Sequence, residues 1–442
     1  MTRYPASTCD QLLQTFERSS SLGVEIKDGK LDHLSRATDQ GLSIRCLKES
    51  RMGFAYTFDL ARNAVELACR RALEVGELMP VDPLNDLCTT GNGGGFKATT
   101  YPKVNNYDGA GLEVSLEKKI ELARSIEADV KAADPRIKRV RKAAFDEIQG
   151  ESILVDHLGN EISHRMTIFS GDVTCVAEDG ASAETGYDSR YSSSFDKLET
   201  DKIAPTAAAE ALELLHAGKA ATGQFPAVFK NSVVAQLVGF LSASFSAENI
   251  DKNFSLLVGK KGEKVFSDRI NLIDDGLLEG GTSTGPFDGE GYPTRRTPLV
   301  RAGVVESFLY DSYYARKHRT ATTGNSRRGS LKAPPGVGST NLYLEKGAKS
   351  FDALVKDAGR GIFITDLLGL HTANPVTGEF SVGASGILIE GGRLTKPVKG
   401  FAIAGNLVEL LRDVAEVGSD LRFWGGVGAP SFLVSKLNVS GS

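Results

Sequence analysis

Residues 23–57 read GVEIKDGKLDHLSRATDQGLSIRCLKESRMGFAYT, and this stretch decides the fold class. Short apolar segments alternate with breaks at Asp28–Gly29, Gln40–Gly41 and Met52–Gly53. A break such as Asp-Gly between alternating segments is a strong signal for a β-hairpin. The stretch therefore predicts a meander of antiparallel strands.

Helices are predicted on both sides of the meander. Upstream, the apolar residues are spaced for a helix from Ser7 to about Ser19. Downstream, Asp59 is expected to cap a second helix that runs from Leu60 to about Glu77. With the meander, these helices predict an N-terminal α+β domain over residues 1–80.

The rest of the chain divides into three segments. Residues 81–113 are rich in Gly and Pro and lack periodicity, which is typical of a loop or linker. Residues 114–217 predict a central α+β domain with a helix at each end and a hairpin around Leu158–Asn160. Residues 222–442 predict a sheet-rich C-terminal domain that begins with a strand and an apolar helix, Ser232–Ala247.

The predicted fold class is α+β, with mainly antiparallel sheets and few helices, because strands come in runs without βαβ alternation. The 442 residues carry a net charge of −4, which argues against direct binding of nucleic acid or an anionic membrane. No apolar run approaches the roughly 18 residues of a membrane span. Five scattered cysteines indicate reduced thiols, and the start of the chain lacks a signal-peptide pattern, so a cytoplasmic protein is expected.

Three short motifs imitate functional sites. The set His157, Glu161 and His164 has the composition of a metal site, but it surrounds a hairpin turn and is interpreted as structural. GTSTG, residues 281–285, matches a nucleophile elbow without the helix that the motif requires. GNGGGFK, from Gly91, lacks the last glycine of a phosphate-binding loop and is interpreted as a flexible loop. No local histidine motif for zinc occurs, although ligands distant in sequence stay open.

The stretch DGEGYPTRRTPLV, residues 288–300, is rich in charge. Its acids are too few and too poorly spaced for a calcium loop, and adjacent arginines in a strand point to opposite faces. We therefore interpret it as a turn at Asp288–Gly291, with Pro293 leading an outer strand that pairs with VVESFLYDS.

In its C-terminal half the chain resembles the TldD/PmbA family, whose members were once called modulators of DNA gyrase. The resemblance rests on elements that occur in order. They are DGEGYPTRR, the run Asp311–Arg316, Gly324–Asn325, APPGVGSTN, VTGEFSVGASGILIEGG, PVKGFAIAGNLVELL and the closing LNVSGS. GLSIRCLKESRMGFAYTFDL extends the resemblance into the N-terminal meander, so that it spans roughly residues 20 to 442.

The resemblance implies one of two kinds of subunit. TldD-type chains carry H-E-x-x-x-H on an early helix of the C-terminal domain, with a later cysteine, and resemble zinc peptidases. PmbA-type chains, also called TldE, lack this motif and pair with the first kind. Here the corresponding helix is NSVVAQLVGFL, whose motif positions are Ala235, Gln236 and Phe240, and no cysteine follows Cys175. The chain therefore resembles the PmbA type, with no catalytic residue, metal or cofactor of its own expected.

The function expected from the resemblance is that of a non-catalytic subunit of a TldD-type metallopeptidase assembly. Its expected partners are a TldD-type zinc peptidase subunit and the peptide or unfolded polypeptide on which the complex acts, with a homodimer when the chain is alone. One alternative is a stand-alone hydrolase or peptidase, in which distant residues such as His318 and His371 converge. Another is a homodimeric binding or scaffold protein.

Overall fold

In the computed structural model, which describes residues 9–87 and 101–441, one six-stranded antiparallel sheet spans the N-terminal half. Its strands are β1 (Gln11–Lys27), β2 (Lys30–Lys48), β3 (Arg51–Thr57), β4 (Ile137–Asp156), β5 (Glu161–Asp179) and β6 (Ser182–Ser192), in the order β3-β2-β1-β4-β5-β6. The meander predicted from residues 23–57 is present as β1, β2 and β3, with its first turn at Asp28–Gly29 as expected. The breaks expected at Gln40–Gly41 and Met52–Gly53 lie inside β2 and β3, and the second turn is at Glu49–Ser50. Because β1 pairs with β4, from Leu13 opposite Asp156 to Ile26 opposite Ala143, the first two predicted units share one sheet.

The helix predicted from Ser7 to Ser19 is wrong, since residues 11–19 lie in β1. Leu12 and Leu13 point to opposite faces of the sheet, and both side chains are buried. Leu12 joins the apolar cluster of the following helix, whereas Leu13 packs with Leu154 and Ile162 on the other face. A strand that is buried on both faces loses its period of two, and its apolar residues can then imitate helical spacing.

Four helices cover this sheet: α1 (Arg62–Leu78), α2 (Gly109–Leu112), α3 (Leu116–Ala133) and α4 (Ile203–Glu213). Ser115 caps α3 by accepting a hydrogen bond from the Lys118 amide. Asp59 does not cap α1, because Ala61 holds that position, but the Asp59 carboxylate accepts a hydrogen bond from the Ala61 amide at 2.9 Å. The helices of the N-terminal half pack on the faces of its antiparallel sheet, so helices and sheet form separate layers.

The C-terminal half contains the remaining elements. Its helices are α5 (Asn231–Leu241), α6 (Ala247–Asp251), α7 (Ser312–Lys317), α8 (Phe351–Ala358) and α9 (Leu407–Arg412). Its strands are β7 (Gly223–Phe229), β8 (Leu272–Asp275), β9 (Arg296–Arg301), β10 (Val304–Val305), β11 (Ser326–Arg327), β12 (Gly336–Val337), β13 (Leu342–Leu344), β14 (Gly361–Leu368), β15 (Glu379–Glu390), β16 (Arg393–Asn406), β17 (Val414–Val417), β18 (Arg422–Trp424), β19 (Val427–Ala429) and β20 (Phe432–Ser440). The predicted α+β class is confirmed.

Two six-stranded sheets form most of this half. One has the order β10-β9-β8-β13-β19-β18 and the other β16-β15-β14-β7-β20-β17. In the second sheet β16 also pairs with β20, which closes five of its strands into a ring. No helix in the described ranges is both long and apolar enough to cross a bilayer.

Helix α5 lies in the largest apolar cluster, between the two C-terminal sheets. Its Val233, Val234, Leu237, Val238 and Leu241 are each at most 3% exposed. The predicted helix Ser232–Ala247 is thus present at its start, but it ends at Leu241 and continues as a 3-10 turn, Ser242–Phe245. Since most of its surface is buried, the remaining strip of α5 determines what the helix can present to a ligand.

Candidate functional site

A cleft of about 560 Å³ opens between the central unit and the C-terminal half. One wall comes from β6 and α4, and the other from the start of α5 and the ends of β14 and β18. Its volume lies within the range of about 300–1,000 Å³ that is usual for small-ligand sites. We call this site the cleft throughout.

The exposed strip of α5 lines the cleft through Ala235 and Gln236. Ala235 is 5% exposed, whereas the Gln236 side chain is open to solvent. Phe240, one turn further along, is half-buried and packs against the main apolar cluster. The three positions singled out by the sequence therefore separate into two that face the cleft and one that contributes to the core.

Two ion pairs join the walls of the cleft. The Lys230 ammonium group, just before α5, binds the Glu210 carboxylate of α4. Arg422 of β18 donates to the Asp188 carboxylate of β6 and to the Ser189 carbonyl, the latter at 2.7 Å. Both pairs connect the central unit to the C-terminal half, and Arg422 and Asp188 lie 234 residues apart, so the cleft exists only when the two halves are docked.

Asp188 is the most deeply buried carboxylate of the cleft, at 3% exposure. Burial raises the pKa of Asp188, and the guanidinium groups of Arg422 and Arg190 oppose that rise. Arg190 lies 3.1 Å away on the same strand. Arg422 also stacks over Trp424, with the guanidinium carbon 4.8 Å from the ring centroid. These contacts fix Asp188 and Arg422 as structural parts of the cleft wall.

Glu213 and Asp366 differ from the other two acids because neither forms an ion pair among the described residues. Asp366 accepts only the amide of Leu367, at 2.9 Å. Asp366 is half-buried, whereas Glu213 is exposed at the cleft. Partial removal from water by the surrounding protein raises the pKa of both carboxyl groups, and nearby Lys230 partly opposes this in each case. Their negative charges are therefore the uncompensated charges of the cleft.

TldD-type chains resemble zinc peptidases, and the cleft lies at the positions that carry their metal motif. Zinc sites use thiolate, imidazole and carboxylate ligands in a tetrahedral arrangement. At the two motif positions that face the cleft, a methyl group and a neutral amide are present instead. Within residues 9–87 and 101–441, no group of three His, Cys, Asp or Glu residues is placed to hold a metal ion. The side chains of the cleft therefore do not fit a zinc site.

The histidines considered earlier lie apart from the cleft. His164 of β5 stands opposite Ser152, and its ring packs edge-on to Phe287. Burial lowers the pKa of His164 to about 4, so the ring is neutral near pH 7. His318 contacts the Asp251 carboxylate at 3.3 Å, whereas His371 lies on the exposed turn Leu370–Thr372. Their convergence into one site, which the hydrolase alternative needs, is not observed.

The two glycine-rich motifs give different outcomes. GTSTG lies in a series of turns in which the Ser283 amide donates to Asn341 at 3.1 Å, and no helix follows it. It is therefore not a nucleophile elbow. GNGGGFK, residues 91–97, lies wholly outside the described residues, because the gap covers positions 88–100. The two flanks of that gap are anchored to the C-terminal half, for example by Tyr101, whose hydroxyl donates to the Gly291 carbonyl at 2.7 Å.

The stretch 288–300 forms a second contact between the halves. The predicted turn is present, and Asp288 accepts three backbone N–H groups, from Glu290, Tyr292 and Ser326, at 2.9–3.0 Å. The strand that follows is β9, which begins at Arg296 and pairs with β10 as expected. It is not an outer strand, however, because β9 also pairs with β8.

Glu290 connects this turn to the first sheet. Its carboxylate receives Arg45 of β2 at 3.2 Å and the Ser312 amide at 2.9 Å. Asp311, 6% exposed, caps α7 by accepting the Tyr314 amide at 2.8 Å. Asp288, Glu290, Asp311 and Arg45 are called the buried acid–arginine contact below.

The acids of this contact are strongly perturbed. Burial, followed by the charge of Glu290, raises the pKa of Asp288 to about 7 and that of Asp311 to about 6. The three backbone donors on Asp288 act in the opposite direction. These groups are enclosed by protein, so their role is to join two parts of the fold.

Sequence reasoning missed Asp188, Glu213, Asp366 and Arg422. Arg422 and Asp188 lie 234 residues apart, and no local motif contains either of them. The chain's only tryptophan, Trp424, stands beside Arg422 and is the one compositional signal that could have drawn attention to this wall.

Comparisons with known proteins find similarity along nearly the whole chain. Three family models match: the PmbA/TldA metallopeptidase domain 1 over residues 16–75, the central domain over 110–215 and the C-terminal domain over 222–441. The chain is 25% identical over 425 residues to the metalloprotease PmbA of Escherichia coli O157:H7, covering 96% of this chain and 91% of that protein.

Solved structures are similar over the same extent. A Thermotoga maritima protein described as a modulator of DNA gyrase aligns with a TM-score of 0.88 and 28% identity, over 97% of this chain and 96% of that one. TldE from Thermococcus kodakarensis aligns with a TM-score of 0.89 over 99% and 98% of the two chains. Because the identity is only 23%, this second alignment supports the same fold and nothing further.

Proposed function

Because the chain belongs to the PmbA/TldD family, we propose that it is a zinc-less PmbA/TldE-type subunit of a TldD-type metallopeptidase assembly. In this proposal the partner supplies the zinc and the hydrolytic step, and the present chain completes the enclosure around the peptide. The substrate is a peptide or an unfolded segment, taken up as an added β-strand through main-chain hydrogen bonds. The assembly works in the cytoplasm, and the chain alone forms a homodimer.

The observation that carries the proposal is the pair Ala235–Gln236 on the cleft side of α5. The family resemblance assigns the first two residues of H-E-x-x-x-H to these positions. A methyl group cannot bind a metal, and a neutral amide cannot act as a general base. The helix nevertheless keeps its place in the wall of an open cleft, which is consistent with a site retained for contact with a substrate.

Co-expression with a TldD-type chain that carries intact H-E-x-x-x-H tests the proposal. The two chains are expected to co-purify, and chelator-sensitive peptidase activity is expected only from the pair. Elemental analysis of the present chain alone is expected to show no stoichiometric zinc. One tightly held zinc per isolated chain, or failure to bind any TldD-type protein, contradicts the proposal.

A triple variant tests the role of α5. Ala235→His, Gln236→Glu and Phe240→His together are expected to leave the isolated chain inactive and to lower the free energy of unfolding by about 2–3 kcal/mol. The loss arises because Ala235 is buried and Phe240 packs against the core. Gln236→Glu alone is the matched control, with an effect within about 0.5 kcal/mol, since that side chain is exposed. Zinc binding and peptide cleavage at unchanged stability would show that the site is intact apart from its ligands.

The hydrolase alternative has less support, because His318 is engaged with Asp251 and His371 lies on a separate exposed turn. The homodimeric scaffold is the outcome indicated if the chain dimerises but binds no TldD-type partner.

A further inference from the structure

We infer that the cleft binds a primary ammonium group, supplied by the N terminus or by a lysine side chain of a peptide. The inference deepens the proposed function, on which its choice of a peptide rests. It names the part of the peptide that this chain recognises. The evidence consists of the charge balance of the cleft, the backbone that positions two of its residues and its volume.

The charge balance favours a cation. Lys230 is paired with Glu210, and Arg422 is paired with Asp188, so both cations at the cleft are neutralised by acids. Among the described residues, Glu213 and Asp366 are the two carboxylates of the cleft that form no ion pair. A negatively charged ligand would meet two uncompensated charges of its own sign, whereas a cation would neutralise one or both. The cleft therefore selects for positive charge.

The backbone of β14 directs two polar side chains to this place. The pairing with β15 shifts between Ile364 and Asp366, so Thr365 is an extra residue that forms a β-bulge. Bulges commonly re-aim side chains beside functional sites. The Thr365 hydroxyl oxygen is shielded from solvent within a half-buried side chain, and it has no hydrogen-bond partner among the described residues. A shielded polar atom without a partner is unfavourable, and a bound donor that reaches it relieves that cost.

An ammonium group fits these features better than a bare metal ion does. It brings three N–H donors and one positive charge, which suits separated carboxylates and a hydroxyl. Metal ions require several ligands converging on one point, and the described residues offer no such group here. The volume of about 560 Å³ also leaves room for the residues that follow the amine in a peptide.

Partial removal from water raises the pKa of both Glu213 and Asp366, which agrees with carboxylates that form no ion pair among the described residues. Both groups are expected to be ionised when an ammonium group is bound, because a nearby positive charge lowers a carboxyl pKa.

Calorimetric titration of the full-length chain with three short unstructured peptides tests the inference. The first has a free N terminus and no Lys or Arg, the second is its N-acetylated form, and the third is N-acetylated with one internal lysine. All three are amidated at the C terminus. Binding of the first peptide at least tenfold tighter than the second indicates the α-amine as ligand, and tight binding of only the third indicates the lysine side chain. Equal affinity for all three, or no binding by any of them, overturns the inference.

Variants locate the binding to the cleft. Glu213→Gln and Asp366→Asn are each expected to weaken ammonium binding at least fivefold, because each removes one of the two uncompensated charges. Glu74→Gln, an exposed carboxylate on α1, is the matched control and should leave the affinity unchanged. Thermal unfolding of each variant confirms that it is folded. Binding that is unaffected by the first two variants also overturns the inference.

These outcomes are separable from those of the proposed function. If the chain co-purifies with a TldD-type partner but ignores the amine, only the ammonium site is wrong. If the amine binds but no partner does, the assembly is wrong and the cleft stays a binding site.

Discussion

The two charged contacts between the halves of this chain use the same kinds of residue in opposite ways. In the buried acid–arginine contact, Asp288 receives three backbone donors and Glu290 receives Arg45 and a backbone amide. In the cleft, Glu213 and Asp366 have no cationic partner in the described part of the chain. The first arrangement satisfies its acids within the protein, whereas the second leaves charge available for a ligand.

This difference shows how to separate structural acids from binding acids. A raised carboxyl pKa occurs at both contacts, so the direction of the shift does not distinguish them. What distinguishes them is the number of donors on each carboxylate and whether the carboxylate lines an open cavity. Perturbed carboxyl groups are common at functional sites, but they also occur in structural networks.

The largest effect is expected from Glu290→Ala. The Arg45 and Glu290 side chains are 7% and 10% exposed, so the substitution leaves a buried guanidinium group without its charged partner. The free energy of unfolding should fall by about 3–5 kcal/mol, as measured by denaturant titration. Glu306→Ala is the control, since it breaks the Arg301 pair, whose side chains are 65% and 37% exposed. The control should cost at most about 1 kcal/mol, and equal losses would remove the distinction between buried and exposed pairs.

A smaller, pH-dependent effect is expected from Asp311→Asn. Because the folded pKa of Asp311, about 6, is above its ordinary value of 3.8, the folded state holds the proton more tightly. Its contribution to stability is therefore present below about pH 4 and is lost as pH rises to about 6. Asparagine stays neutral and still caps α7. Relative to the variant, the wild type should lose about 1–3 kcal/mol between pH 4 and pH 7 in denaturant titrations.

The pKa of Asp134 is shifted in the opposite direction to that of Asp311, so its contribution to stability should depend on pH in the opposite way. Its hydrogen bonds with Arg136 lower the pKa of Asp134 to about 2, so its contribution is present above about pH 4 and is lost as pH falls towards 2. The Asp134→Asn variant should therefore differ from the wild type at neutral pH and approach it in acid. If Asp311→Asn behaved in this way instead, Asp311 would be an ionised partner of a cation and not a protonated buried acid.

The smallest effect on stability is expected from Glu213→Gln in the cleft. Since this carboxylate forms no ion pair among the described residues, its loss should change the free energy of unfolding by no more than about 0.5 kcal/mol. Asp188→Asn is the matched control within the same cleft, because it weakens the contacts with Arg190 and Arg422. That control should cost about 1.5–3 kcal/mol. A large loss for Glu213→Gln would make it a structural acid and weaken the case for an ammonium site.

Local pattern predicted much of the architecture. The break at Asp28–Gly29 indicated the first turn of the meander, and Ser115 indicated the start of α3, whereas the break expected at Met52–Gly53 lies inside β3. The same approach failed at Leu12 and Leu13, because burial on both faces of β1 removed the alternation on which strand prediction depends. The prediction that β9 is an outer strand was also wrong, because no residue near β9 in the sequence indicates its pairing with β8.

The candidate site was predicted only in part. The resemblance directed attention to Ala235 and Gln236, and both line the cleft. Phe240 belongs to the core, because a helix in the middle of a domain exposes only a narrow strip. The charged groups of the cleft could not be found in the same way, since they come from five separate segments.

By itself, the sequence determined the α+β class, the apolar character of α5 and the lack of zinc ligands at positions 235, 236 and 240, because each depends on the identity or the spacing of nearby residues. Tertiary structure alone decided which acids are neutralised. Glu290 meets Arg45 across 245 residues, and Arg422 meets Asp188 across 234. The sequence shows which residues carry a carboxylate, but the partners of that carboxylate and its exposure to water depend on how distant segments pack.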